Sequence, residues 1–128
     1  ACRHDHPLAG RTHLSWQAYF EQDYIGLDRV SGNRTLLDRE LAHLTPARPS
    51  ICETRHVTTM LGMVEAGIGI AAVPAMSMPA GEHSVLRAVP LTDPVVTRTV
   101  GLIRLSGRIQ SYVAAELEKL IIEQYPSG

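Results

Sequence analysis

Val57, Met60, Leu61 and Val64 fall at i, i+3, i+4 and i+7, and an apolar run from Ile68 to Val73 follows them and stops at Pro74. This junction constrains the fold more than any other part of the sequence. The spacing predicts a helix with one apolar stripe. Gly67 stands where a left-handed C-cap is wanted. A run that is apolar on both sides and partly β-branched predicts a strand buried on both faces, the mark of a parallel sheet.

The preceding segments repeat that rhythm. Residues 23–28 (DYIGLD) read as a strand, and SGNRTLLDRELAHL from Ser31 reads as a helix with Leu36, Leu37, Leu41 and Leu44 on one side. Ser31 is its expected N-cap and Thr45-Pro46 its stop. Residues 50–55 (SICETR) read as a second strand. Strand–helix–strand–helix–strand makes two linked βαβ units with right-handed crossovers, so the fold class is α/β, a mostly parallel sheet flanked by helices. Around this unit, residues 14–20 (LSWQAYF) suggest a short helical turn. Residues 85–91 and 96–105 suggest strands joined through Thr92-Asp93-Pro94. Ile109, Tyr112, Val113, Leu117, Leu120, Ile121 and Tyr125 mark one face of a final helix within 109–125, ended by Pro126-Ser127-Gly128.

Charge narrows the function. Twelve basic against thirteen acidic residues give a net charge of −1, which argues against a nucleic-acid-binding surface on this chain, because phosphate contacts need a basic excess. The longest apolar stretch, Ala66 to Met76, is broken by glycines and a proline and is too short to span a bilayer. No basic-then-apolar signal peptide opens the chain. Cys2 and Cys52 are too few for a disulfide framework and fit a reducing compartment, with a single bridge or redox switch left open. Lys119 is the only lysine, and a coding bias toward arginine accounts for that. The chain begins at Ala1 rather than at methionine, so a longer parent protein is expected.

Candidate chemistry is sparse. Cys2, His4 and His6 alternate and would share one face of a strand, with His13 near, which is a conceivable zinc site without a second ligand cluster. No G-x-S-x-G elbow and no cysteine-centred signature supports a nucleophilic enzyme. Gly67-Ile68-Gly69 precedes a strand instead of following one, the wrong context for a dinucleotide fingerprint. No catalytic residue, cofactor or metal is therefore expected. A binding site at strand ends survives. Ligands of open parallel sheets lie beyond the carboxyl ends of the strands, where helix N-termini present free N–H groups. Those places here are Ser31, Gly32 and Asn33 after the first strand and His56, Val57, Thr58 and Thr59 after the second. The plainer alternative is that Ser31 and Thr58 only cap their helices.

The segments HPLAGRTHLSW, SGNRTLLDREL, RHVTTMLGMVEAGIGIAAVP and LTDPVVTRTVGLI resemble the C-terminal part of the effector-binding domain of LysR-type transcriptional regulators. The resemblance covers essentially the whole chain and is most specific from His56 to Pro74. It implies a periplasmic-binding-protein-like lobe. Residues 1–6 would end the first inter-lobe crossing strand, and residues 7–94 would form the second lobe. Residues 95–105 would be the return strand, and the remainder to 128 would carry the last helix of the first lobe. It also implies a cytoplasmic homo-oligomer that binds a small-molecule effector, often an organic acid or aromatic metabolite, between lobes. DNA would be reached only through an N-terminal domain lying outside this sequence. Matched to that family, the effector contacts are Ser31, Gly32 and Asn33, with Thr58 weaker. A lobe of a solute-binding transport protein shares the fold and stays open as an alternative, as does a metal-dependent or hydrolytic enzyme using the His-rich start.

Overall fold

The computed structural model describes residues 1–79 and 85–125. The chain divides into two units, Ala1–Val96 and Thr97–Gly128.

The first unit is built on a three-stranded parallel sheet. Strand β3 (Tyr24–Leu27) lies in the middle, with β4 (Cys52–Thr54) on one side and β5 (Ile70–Ala71) on the other. Ile25 pairs with Cys52 and with Ala71, and Tyr24 pairs with Ile70. Helix α2 (Gly32–Glu40) connects β3 to β4, and α3 (Val57–Glu65) connects β4 to β5. The middle strand is therefore first of the three in sequence; the first crossover steps out from it to β4, and the second passes back across it to β5. The anticipated α/β class with parallel pairing is present. The expected parallel run at 68–73 is a two-residue strand buried on both faces.

Alternation along β3 sends Tyr24 to one face and Ile25 and Leu27 to the other. Ile25, Leu27 and Ala71 pack with Met60 and Val64 of α3. Tyr24 and Ile70 pack with Leu41 and with Trp16 and Tyr19 of the short helix α1 (Trp16–Phe20), while Leu37 of α2 and Leu44 add partly buried contacts. The two helices thus cover opposite faces. They do so unequally: α3 buries Met60 and Val64 completely, whereas no residue within α2 is buried. The helix expected to run through Leu44 ends at Glu40: Leu41, whose N–H still donates to Leu37 O, leaves helical geometry at φ −105° and ψ 16°, and the next bond is the tighter one from the Leu44 N–H to Leu41 O.

The ends of α3 match the stripe-and-glycine reading. Gly67 takes φ +78°, its N–H donates to Val64 O, and the Ile68 N–H donates to Met63 O. These are the paired bonds of a Schellman motif, open to glycine because an L side chain clashes at positive φ. Arg3 adds a side-chain bond from Nη1 to Glu65 O while its guanidinium also clasps Asp5.

Short strands decorate this sheet. β1 (Cys2–Arg3) runs antiparallel to β6 (Leu86–Arg87), and Ala1 exchanges two hydrogen bonds with Ala71, linking β1 to β5. β2 (Leu14–Ser15) runs parallel to β7 (Leu91–Thr92) and leads into α1, which Ser15 caps by accepting from the Ala18 N–H. The strand expected over 85–91 is thus two strands in different pairings. Pro90 sits between them and lacks the N–H that a ladder needs.

In the second unit, Ser111 caps α4 (Tyr112–Gln124), its Oγ accepting from the Ala114 N–H. The expected helix is there, three residues shorter at its start, and its proposed stop at 126–128 lies outside the described residues. The return strand expected at 95–105 is not formed. Residues 97–105 have no strand pairing among the described residues, and Val100, Leu102, Ile103 and Leu105 are exposed. A strand exists only through a neighbour that takes up its N–H and C=O groups, and among the described residues none pairs with this segment.

Candidate functional site

The carboxyl ends of β3 and β4 form one edge of the sheet. Asp28 leaves β3 with its N–H donating to Thr54 O, and its carboxylate accepts from the Val30 N–H while lying 3.6 Å from Arg55 Nε. The Ser31 N–H then donates to Asp28 O, closing the turn that delivers α2. Gly32 and Asn33 form the first turn of α2, and Thr58 is the second residue of α3. All four expected contact residues therefore stand at the same sheet edge, on helices that cover opposite faces.

Their local chemistry differs from simple capping. Ser31 occupies the N-cap position, yet its hydroxyl accepts no bond from the first turn. The N-cap of α3 is His56, again without a side-chain cap, so Thr58 does not cap its helix. A β-carbon built on Gly32 would meet nothing within 4 Å. The first turn of α2 thus offers an open backbone approach and a hydroxyl unspent on the helix, with the partial positive charge of the helix end behind them.

Arg34, which sequence reasoning passed over, braces this edge. Its Nη1 donates to Leu27 O at 2.9 Å, its Nε donates to Asp38 Oδ1 at 2.8 Å, and Glu53 Oε1 lies 3.4 Å from Nη1. Arg34 joins α2, β3 and β4 in one cluster, and the Asp38 carboxylate holds its guanidinium pKa above the ordinary value. The i,i+4 spacing of Arg34 and Asp38 was the available signal.

The His-rich start does not assemble as a strand face. β1 ends at Arg3; Cys2 is buried, with Sγ 3.9 Å from Arg87 O, while His4 is exposed and its backbone N–H donates to Val85 O. His6 Nδ1 accepts from the Leu8 N–H, and His13 Nδ1 lies 3.1 Å from Thr12 Oγ1. Among the described residues no three metal-ligating side chains converge. Cys2 and Cys52 are not bridged. No helix among the described residues is long and apolar enough to cross a membrane.

A separate cavity of about 460 Å³ lies on the α2 side of the sheet. None of Ser31, Gly32, Asn33 or Thr58 lines it.

Comparison with known proteins sets this architecture in context. The chain is 40% identical over 122 residues to the uncharacterized HTH-type transcriptional regulator YbhD of Escherichia coli K12, covering 95% of this chain and 38% of that protein. It is 35% identical over 123 residues to the uncharacterized HTH-type transcriptional regulator YfeR of Shigella flexneri, covering 96% and 40%. A shorter match, 35% over 68 residues, reaches the transcriptional activator protein LysR of Escherichia coli K12, covering 53% and 22%. The chain thus spans about two fifths of the length of the first two relatives. The family model of the LysR substrate binding domain matches residues 1–126, and the chain belongs to that family, the effector-sensing part of LysR-type transcriptional regulators.

Proposed function

We propose that this chain is the sensing portion of a cytoplasmic LysR-type regulator that works as a homo-oligomer and reaches DNA through a separate N-terminal domain. Residues 7–94 are a periplasmic-binding-protein-like lobe, with residues 1–6 ending one crossing strand and 95–128 belonging to the companion lobe. The effector is a small organic acid or aromatic metabolite held at the sheet edge by Ser31, Gly32 and Asn33, with Thr58 contributing from α3. The observation that carries this reading is the convergence of two helix starts on one edge of a parallel sheet, one of them open at Gly32. Anion binding at the α2 start gains on the order of 1 kcal/mol from the helix terminus. Closing the cleft over the effector shifts a population between two states in proportion to the difference in affinity. No catalytic step is assigned to any residue.

The test is Gly32→Val in the full-length regulator. The side chain enters open space, so the fold and basal promoter occupancy persist while induction by the effector is lost. Unchanged induction, or unfolding of the variant, places the effector elsewhere.

A further inference from the structure

The cavity beneath α2 is not part of the sheet-edge site. Its floor is the face of the sheet at Tyr24 and Gly26, and its walls are Trp16, Tyr19 and Phe20 on one side and Leu37 and Leu41 on the other. The void has a cause visible in the sequence. It is not the missing side chain of Gly26, whose place is taken by Ser50, with Cβ and Oγ 2.9 Å from where a β-carbon would lie. Helix α2 stops at Glu40, and the proline-punctuated segment 41–50 returns around the space instead of filling it.

We propose that this cavity binds a small, planar, uncharged aromatic molecule, at a site distinct from the effector edge. Size is the first argument, since about 460 Å³ falls within the usual range of small-molecule sites, ~300–1,000 Å³. The walls supply the second. Trp16, Tyr19, Phe20 and Tyr24 form a continuous cluster with ring centroids 5.1–6.0 Å apart in edge-on and tilted pairs. Another ring extends such a cluster through the same edge-to-face contacts. Charge is the third argument, and it selects a neutral ligand. The two arginines at the margin are already engaged: Arg34 with Asp38 and Glu53, and Arg48 with Asp23 at 3.0 Å. An anionic ligand would have to displace those carboxylates from the arginines, and a cationic one would have to displace Arg34 from Asp38 and Glu53, which line the same cavity. Ser50, beside Gly26, offers a hydroxyl to a polar substituent on the ring.

Trp16 is the sole tryptophan and lines the cavity, so binding has a built-in reporter. The experiment titrates the 128-residue chain with iodobenzene, whose heavy atom quenches a tryptophan that it touches. Saturable quenching is expected, relieved by naphthalene and unaffected by benzoate at equal concentration. Narrowing the cavity with Leu37→Phe and Leu44→Phe together should weaken binding about tenfold or more, as overfilled cores exclude added groups. A rise in melting temperature of the parent chain with iodobenzene, as mass action requires of a native-state ligand, checks the site without any variant. Gly32→Val should leave all of this unchanged, which separates failure here from failure of the effector-edge reading. Quenching that rises linearly without saturation, competition by benzoate as strong as by naphthalene, or an unshifted melting temperature overturns the proposal.

Discussion

Two glycine-to-alanine substitutions, seven residues apart, should move stability in opposite directions. At Gly69, just before β5, a β-carbon would lie 2.5 Å from the backbone oxygen of Asp23, 3.2 Å from Asp23 C and 3.2 Å from Ile51 Cδ1. The nearest atom is main chain, so no side-chain rotation relieves the clash. Reaching an ordinary contact of 3.4 Å requires about 0.9 Å of backbone displacement. The same Asp23 oxygen accepts from the Ile70 N–H at 3.0 Å, the bond that begins the β3–β5 pairing. Overpacking costs about 1–3 kcal/mol, and a broken backbone bond adds about 1 kcal/mol. Restricting the unfolded chain returns about 0.4–1 kcal/mol. Gly69→Ala should therefore destabilise by about 2 kcal/mol net. Gly62 lies on the exposed side of α3 with nothing within 4 Å of its β-carbon position. Alanine there should stabilise by about 0.5–1 kcal/mol through helix propensity. Urea unfolding followed by Trp16 fluorescence measures both, because Trp16 is buried in the first unit. A Gly69→Ala variant within ~0.5 kcal/mol of the parent would refute the close-approach argument, since that is the ordinary scatter of surface substitutions. So would Gly62→Ala proving the more damaging of the two.

Three further outcomes follow from the core and from α4. Met60→Ala removes a completely buried side chain and should cost about 2–5 kcal/mol in urea unfolding; a loss below ~1 kcal/mol would mean that α3 does not seal that face. Burial pushes the Tyr19 hydroxyl pKa well above its usual 10, and the hydroxyl accepts the Ala72 N–H. A folded pKa above the unfolded one gives stability that is full below pH 10 and is lost as pH rises through the folded value. Tyr19→Phe should remove this alkaline loss while costing about 1 kcal/mol at neutral pH, and identical alkaline slopes for parent and variant would count against it. Val113, Leu117 and Leu120 of α4 are exposed, with Ile121 partly so, and sedimentation should show self-association that Leu117→Glu reduces; a clean monomer at high concentration contradicts this.

Periodicity made the α3–β5 junction legible because every determinant of it is local: the stripe, the positive-φ glycine and the apolar run sit within eighteen residues, from Val57 to Pro74. The order of the elements followed, and with it the sheet edge where Ser31, Gly32, Asn33 and Thr58 stand. What escaped the sequence depended on partners. Residues 96–105 carry strand-like side chains but acquire no ladder among the described residues, a property of neighbours and not of the segment. Cys2, His4 and His6 alternate in sequence, but β1 ends at Arg3 and each side chain goes its own way. The end of α2 at Glu40 was missed because the leucine spacing continues to Leu44 while the backbone does not. The cavity was invisible for the same reason, since a void belongs to no residue.

The uneven seating of the two helices also sets a hierarchy of lifetimes. Helix α3 is locked by two completely buried side chains and a closed C-terminus, so its amides should be among the slowest to exchange. Helix α2 has no buried residue within it, rests on Leu37 and on Leu41 just beyond its end, and spans empty space. Its amides should exchange with solvent through local openings far cheaper than global unfolding. The first turn of this loosely seated helix is where Ser31, Gly32 and Asn33 reside. The sheet edge thus joins a slow wall to a fast one, and whatever lengthens the closed time of α2 lengthens the time for which that edge keeps its shape.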